Sequence, residues 1–148
     1  MLLGQYEAKV DEKGRISLPK RFREQLGEQI VITSGFENSL IIVPGAAWEH
    51  LLEGTRGRPF IEFETRDTQR FLLGAAAEVI LDSKGRFILP AHLRSFSGIE
   101  ADTIFLGLGN YIEVWDKTKW DKYRKGLEQN IEGIAARLVK KQTKGEEK

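Results

Sequence analysis

Apolar positions along the chain come in short runs, and the runs come twice. Tyr6 to Val10 and Glu78 to Leu81 read as strands entering a turn, and Arg15 to Leu18 and Arg86 to Leu89 as strands leaving it. Pro19 and Pro90 end those strands and suit the first turn of a helix, so PKRFREQLG and PAHLRSFSG are predicted as short helices closing at Gly27 and Gly98. The runs QIVIT, LIIV and TIFLGL predict further strands at Ile30–Thr33, Ser39–Val43, Thr103–Leu106 and Tyr111–Trp115. Trp48 and Trp120 each open a helix. The second of these runs from about Lys117 to Leu138, and its Trp120, Tyr123, Leu127, Ile131, Ile134 and Leu138 mark one buried face. Asp67 reads as an N-cap before the short apolar helix TQRFLLGAAA. Residues 139–148 carry no apolar stripe and are expected to fray.

The doubling extends to identity. DEKGRISLPKRFR (Asp11–Arg23) and DSKGRFILPAHLR (Asp82–Arg94) share seven of thirteen positions. A one-residue shift then aligns Ile32 with Ile104, Gly35 with Gly107, Asn38 with Asn110, Trp48 with Trp120 and Gly54 with Gly126. The chain therefore divides into a first module (5–54), a connecting segment with a short helix (55–75), a second module with a longer C-terminal helix (76–138) and the tail. A unit of about four short strands buries little alone. Two units in one chain can each supply the other's missing face. The expected fold is mainly β with short helices (α+β): two tandem modules forming a pseudo-two-fold β barrel, followed by a helix.

Composition narrows the chemistry. With 41% apolar and 30% charged residues, the 148-residue chain can build a core. It has no cysteine, which removes disulfides and thiolate chemistry, and only His50 and His92 carry imidazole. Both read as surface or packing residues. GxxxxGK[ST], HExxH and GxSxG are absent, and Glu62 and Glu64, on one face of a possible strand, have no acid/base partner, so neither an enzyme nor a cofactor or metal site is expected. No run suits a membrane span or a secretory signal, and a soluble, cytoplasmic protein is expected. The 23 basic and 22 acidic residues argue against indiscriminate binding to nucleic acid. Local balances differ: Met1–Gly27 holds six basic and four acidic residues, Glu78–Gly98 three and two, and Lys117–Lys148 ten and five.

GQYEAKVDEKGRISLPKRFR, LDSKGRFILPAHLR and EVWDKTKW together resemble the MraZ family of bacterial transcriptional regulators, built from two AbrB-like swapped-hairpin modules. The likeness covers roughly Leu3 to Leu138. Its most specific part is the doubled DxxxR motif, Asp11–Arg15 and Asp82–Arg86. Phe87 and Ser97 are variations that remove no charged group. The resemblance implies a nucleoid-associated regulator that binds promoter DNA upstream of the division and cell-wall gene cluster, as a homo-oligomeric ring of eight to twelve subunits.

The residues supply their own candidates. In each Asp-x-Lys-Gly turn, Asp11 or Asp82 can bond the backbone two residues on, and Gly14 or Gly85 can take positive φ. Lys13 and Arg15 then sit at or beside a projecting tip, where an arginine could grip phosphate or guanine. Lys9, Lys20, Arg21 and Arg23 add charge nearby. The competing reading is that Asp and Arg form an ion pair that merely fixes the hairpin. Lys84 and Arg86 rank lower, because Ala91 and His92 replace Lys20 and Arg21. The basic C-terminal stretch is better read as a solvated face than as a DNA contact. Trp48, Trp115 and Trp120 read as packing groups. The expected partner is double-stranded promoter DNA with short direct repeats. The alternative is a protein-interaction or scaffold ring. An AbrB-like antitoxin is disfavoured, because the duplication lies within one chain and no long disordered tail is available to wrap a toxin.

Overall fold

A computed structural model describes residues 1–146, with the side chains of Ala46 and of 144–146 set aside. The strands are β1 (Leu2–Lys9), β2 (Arg15–Ser17), β3 (Gln29–Ser34), β4 (Leu40–Val43), β5 (Ala77–Ile80), β6 (Arg86–Ile88), β7 (Asp102–Gly109) and β8 (Ile112–Asp116). The helices are α1 (Lys20–Leu26), α2 (Trp48–Leu52), α3 (Phe63–Gln69), α4 (Ala91–Ser97) and α5 (Lys117–Glu146). The repeat predicted from sequence thus becomes a repeat of elements: β1-β2-α1-β3-β4 returns as β5-β6-α4-β7-β8.

The two copies exchange their first strands. β1 pairs antiparallel with β7 of the second copy, and β5 with β3 of the first. The large sheet runs β1-β7-β8-β4-β3-β5 and has its pseudo-two-fold at the central β4–β8 pair. There Ile41 faces Glu113, its counterpart at the 72-residue offset. The expected mixed α+β class and tandem modules are present. The sheet is not closed into a barrel, however: the strands that would have to meet, β1 and β5, are its two opposite edges. What covers it instead is a separate two-stranded ribbon, β2–β6, together with α1 and α4.

Burial explains this arrangement. Ile16 and Leu18 from one arm of the ribbon, Phe87 and Leu89 from the other, Phe22 of α1 and Leu93 of α4 share one core with Ile32, Leu40, Ile42, Phe105, Ile112 and Val114 of the sheet. The six side chains from the ribbon and helices are at most 4% exposed. Covering them is worth roughly 1.5–3 kcal/mol apiece. Tyr6 of β1 adds an edge-to-face contact with Phe22 at 5.1 Å. A smaller cluster joins Ile41, Val43, Ala47 and Leu72 to Trp48 and Phe71.

The connecting segment departs from expectation. α3 begins at Phe63, so Asp67 lies inside it and pairs with Arg70 at 2.8 Å rather than capping a helix. Glu62 and Glu64 flank the start of this helix and are not on a strand, and Glu62 pairs with Arg58 at 2.6 Å. A single π turn (Arg70–Gly74) follows, whose carbonyls at Phe71 and Leu72 accept the hydroxyls of Ser34 and Thr33, each at 2.6 Å.

Met1–Lys117 forms one compact unit, and the chain from Thr118 onward forms another. The apolar stripe predicted to be buried along the last helix is largely uncovered: Ile131, Ile134 and Leu138 are exposed. The tail expected to fray continues α5 to Glu146, and residues 147 and 148 lie outside the described residues. No helix among the described residues is long and apolar enough to cross a membrane.

Candidate nucleic-acid interface

The two DxxxR motifs fold into near-identical tips. Asp11 Oδ1 accepts the backbone N–H groups of Lys13 (2.9 Å) and Arg15 (2.8 Å), while Oδ2 accepts Arg15 Nε at 2.8 Å. Asp82 repeats this with Lys84 N (2.9 Å), Arg86 N (2.8 Å) and Arg86 Nε (2.9 Å). Gly14 and Gly85 take φ of 79° and 74°, and each donates its N–H back to the aspartate carbonyl. A side chain at either position would be strained. Hydrogen bonds from Arg15 and Arg86 to the charged carboxylates hold the pKa of both aspartates below the ordinary 3.8, against the opposing effect of desolvation.

This geometry joins the two readings of the motif. The ion pair that fixes the hairpin exists, yet it uses only Nε of each arginine. The Nη amines of Arg15 and Arg86 have no hydrogen-bond partner among the described residues, and their side chains keep 30% and 27% exposure. Each guanidinium is therefore oriented by the protein and still has donors to offer.

The tips also brace each other. Leu18 N–H donates to Gly85 O at 2.9 Å, and Leu89 N–H donates to Gly14 O at 3.0 Å. The ribbon register places Arg15 opposite Ile88 and Ser17 opposite Arg86. Both motifs thus belong to one two-stranded platform, a proximity that linear spacing does not convey.

The other candidates are spread around this platform. Lys13 and Lys84 are exposed at the turns, and Lys20 and Arg21 are exposed on the first turn of α1. Lys9 ends β1 with its amine 3.9 Å from Asp102. His92 Nε2 is hydrogen-bonded to Ala75 O at 2.8 Å, and His50 is 3.9 Å from Glu53. Trp115 is buried, and its indole N–H donates to Glu113 at 2.9 Å. No group of three or more His, Asp or Glu side chains among the described residues could hold a metal ion.

In the sequence Arg23 stands out only as nearby charge, and Arg94 not at all. The structure places Arg23 across Gly85, the tip glycine of the other copy, and brings Arg94 toward Gly14. Both close the thirteen-residue repeat, so the signal was present. The exchange that carries each to the opposite tip was not visible.

A family model described as "MraZ protein, putative antitoxin-like" matches residues 1–71 and again 72–142. The chain is 39% identical over 139 residues to a protein of Syntrophomonas wolfei named transcriptional regulator MraZ, spanning 94% of this chain and 97% of that one. A protein of the same name from Caldanaerobacter subterraneus is 39% identical over 138 residues (93% and 96%), and one from Acetivibrio thermocellus 38% over 139 residues (94% and 97%). With both copies matched and relatives aligned nearly end to end, the chain belongs to the MraZ family.

Proposed function

We propose that this protein is a DNA-binding transcriptional regulator, without catalytic activity, that contacts double-stranded promoter DNA through the paired tips of its β2–β6 ribbon. One observation carries the reading: two arginines, each held by an aspartate through Nε alone, present their remaining donors from a single cross-braced platform. The relatives' name, transcriptional regulator, supports it. Arg15 and Arg86 would donate to guanine O6/N7 or to phosphate, with Lys13 and Lys84 beside them and Lys9, Lys20 and Arg21 as phosphate contacts. Asp11, Gly14, Asp82 and Gly85 would shape the turns without touching DNA. The divisions 5–54 and 76–138 are then units of repetition joined by the segment 55–75, not units of independent folding.

Multiplicity supplies the strength that a net charge of +1 cannot. A protomer neutralising ~4 phosphates has a log–log salt slope of only about −3.6. Several copies in a ring, set on direct repeats about one helical turn (~10 bp) apart, would make each later contact effectively intramolecular. Self-association is supported by the exposed Phe60, Ile61 and Phe63 and by the uncovered Ile131, Ile134 and Leu138.

The test is a salt titration of binding to the duplex immediately upstream of the protein's own gene, against a shuffled duplex. Tighter binding to the upstream DNA, falling steeply between about 50 and 200 mM salt, is expected. An intact oligomer that binds neither duplex would replace this reading with that of a protein-interaction ring.

A further inference from the structure

We infer that Arg23, carried by α1 of the first copy, completes the tip of the second copy as a phosphate anchor. The inference rests on the DNA-binding reading above and adds a residue and a division of labour to it.

Arg23 and Arg94 occupy equivalent places in the repeat but have different surroundings. Arg94 is fastened to its own module: Nε donates to Ile99 O at 3.1 Å, and a terminal amine donates to Glu100 O. Its Nη1 lies 3.9 Å from a Cβ built on Gly14. Arg23 makes no side-chain hydrogen bond among the described residues, and its Nε is buried without an acceptor. It lies over Gly85 so closely that a Cβ there would come within 2.5 Å of Cζ. Gly85 is consequently buried, whereas Gly14 is only partly so.

A guanidinium that is packed against backbone and paired with no carboxylate is costly unless something else meets its charge. The carboxylate of the nearby tip makes no bond to it and is engaged elsewhere. Asp82 spends one oxygen on two backbone N–H groups and the other on Arg86 Nε. Ser83 stands where the first tip has Glu12. The second tip with Arg23 therefore holds three cations (Lys84, Arg86, Arg23) against one carboxylate. The first tip, counted the same way with Arg94, sets three cations (Lys13, Arg15, Arg94) against two carboxylates (Asp11 and Glu12). Arg23 brings one of the two cations missing at Ala91 and His92 to this tip from across the pseudo-two-fold. A planar fork held beside two further cations suits phosphodiester oxygens, which carry no sequence information.

The experiment measures binding of the full chain to the upstream and shuffled duplexes over a salt series, for wild type, Arg15→Ala, Arg23→Ala, Arg23→Lys and Arg94→Ala. Arg23→Ala should weaken both duplexes by a similar factor, about tenfold or more. It should also reduce the magnitude of the salt slope by about 1 per bound protomer. Arg23→Lys should restore the slope. Arg94→Ala should keep the wild-type slope and lower the melting temperature. A wild-type slope for Arg23→Ala, while Arg15→Ala loses binding, overturns the inference and leaves the DNA reading standing. Absence of binding by wild type overturns both. If Arg23→Ala melts early, Arg23→Lys and Arg23→Gln are compared below their melting temperatures. A slope that Lys does not restore relative to Gln makes Arg23 structural and ends the proposal.

Discussion

Ile16 lies directly opposite Phe87 in the β2–β6 ribbon, and Phe87 is the residue that takes its place in the second copy. The pseudo-two-fold therefore passes between them, as it passes between Ile41 and Glu113 in the sheet. Both ribbon residues are buried, at 1% and 3% exposure, in the one core that the copies share.

Because β1 and β5 are exchanged, neither copy can unfold while the other stays native. Ile16→Ala should cost about 2–5 kcal/mol and Phe87→Ala about 3–5 kcal/mol. Each should shift a single urea transition for Met1–Lys117 followed by different probes. Separate transitions for the two copies would contradict the shared core.

The tip aspartates predict a direction of pH dependence. Their folded pKa lies below 3.8, so the unfolded chain takes up protons first. Their contribution is complete above that value and drains away as pH falls through and below it. Asp11→Asn and Asp82→Asn should lower the urea midpoint near neutral pH, with the deficit shrinking from about pH 5 down to about pH 2. Denaturation across that range checks it.

Glu113 has the opposite sign. Burial raises its pKa above 4.5, and Glu37 adds to the shift, although the Trp115 indole donor opposes it. The folded state holds this proton longer, so a penalty sets in as pH rises through 4.5. Glu113→Gln, which can still accept from Trp115, should raise the melting temperature at neutral pH and leave it nearly unchanged near pH 4.

Glycines divide by their neighbours. A Cβ at Gly107 would lie 2.6 Å from Leu3 N and 2.7 Å from the carbonyl carbon of Leu2, both backbone atoms of the β1 edge strand. Gly107→Ala should therefore force β1 away from β7 and destabilise by about 1–3 kcal/mol. Gly126→Ala on α5 meets nothing within 4 Å and should stabilise its helix by about 0.5–1 kcal/mol. Thermal melts, read with helix content for the second variant, separate the two.

Much of this was written locally. The Asp-x-Lys-Gly turns, the proline-started helices α1 and α4 and the alternating runs of β3, β4, β7 and β8 depend on neighbours a few residues away, and they appear where the pattern puts them. Asp67 differs because a polar residue before an apolar run resembles a cap, whereas α3 starts earlier and uses Asp67 to pair with Arg70. The open sheet was hidden for another reason. Whether β1 and β5 meet depends on long-range pairing, and pairing preference is not encoded in periodicity. At the site, the residue types and the turn were legible in Asp11 and Arg15. Two features required the exchanged strands: the bracing of Leu18 against Gly85, and the passage of Arg23 to the opposite tip.

The central claim is that the Asp-held arginines grip DNA from an oligomer. Its most direct test is the affinity of Arg15→Ala for the upstream duplex, with oligomer mass measured by light scattering on the same sample. Loss of about tenfold or more at unchanged mass is predicted. Wild-type affinity with an intact oligomer would contradict it.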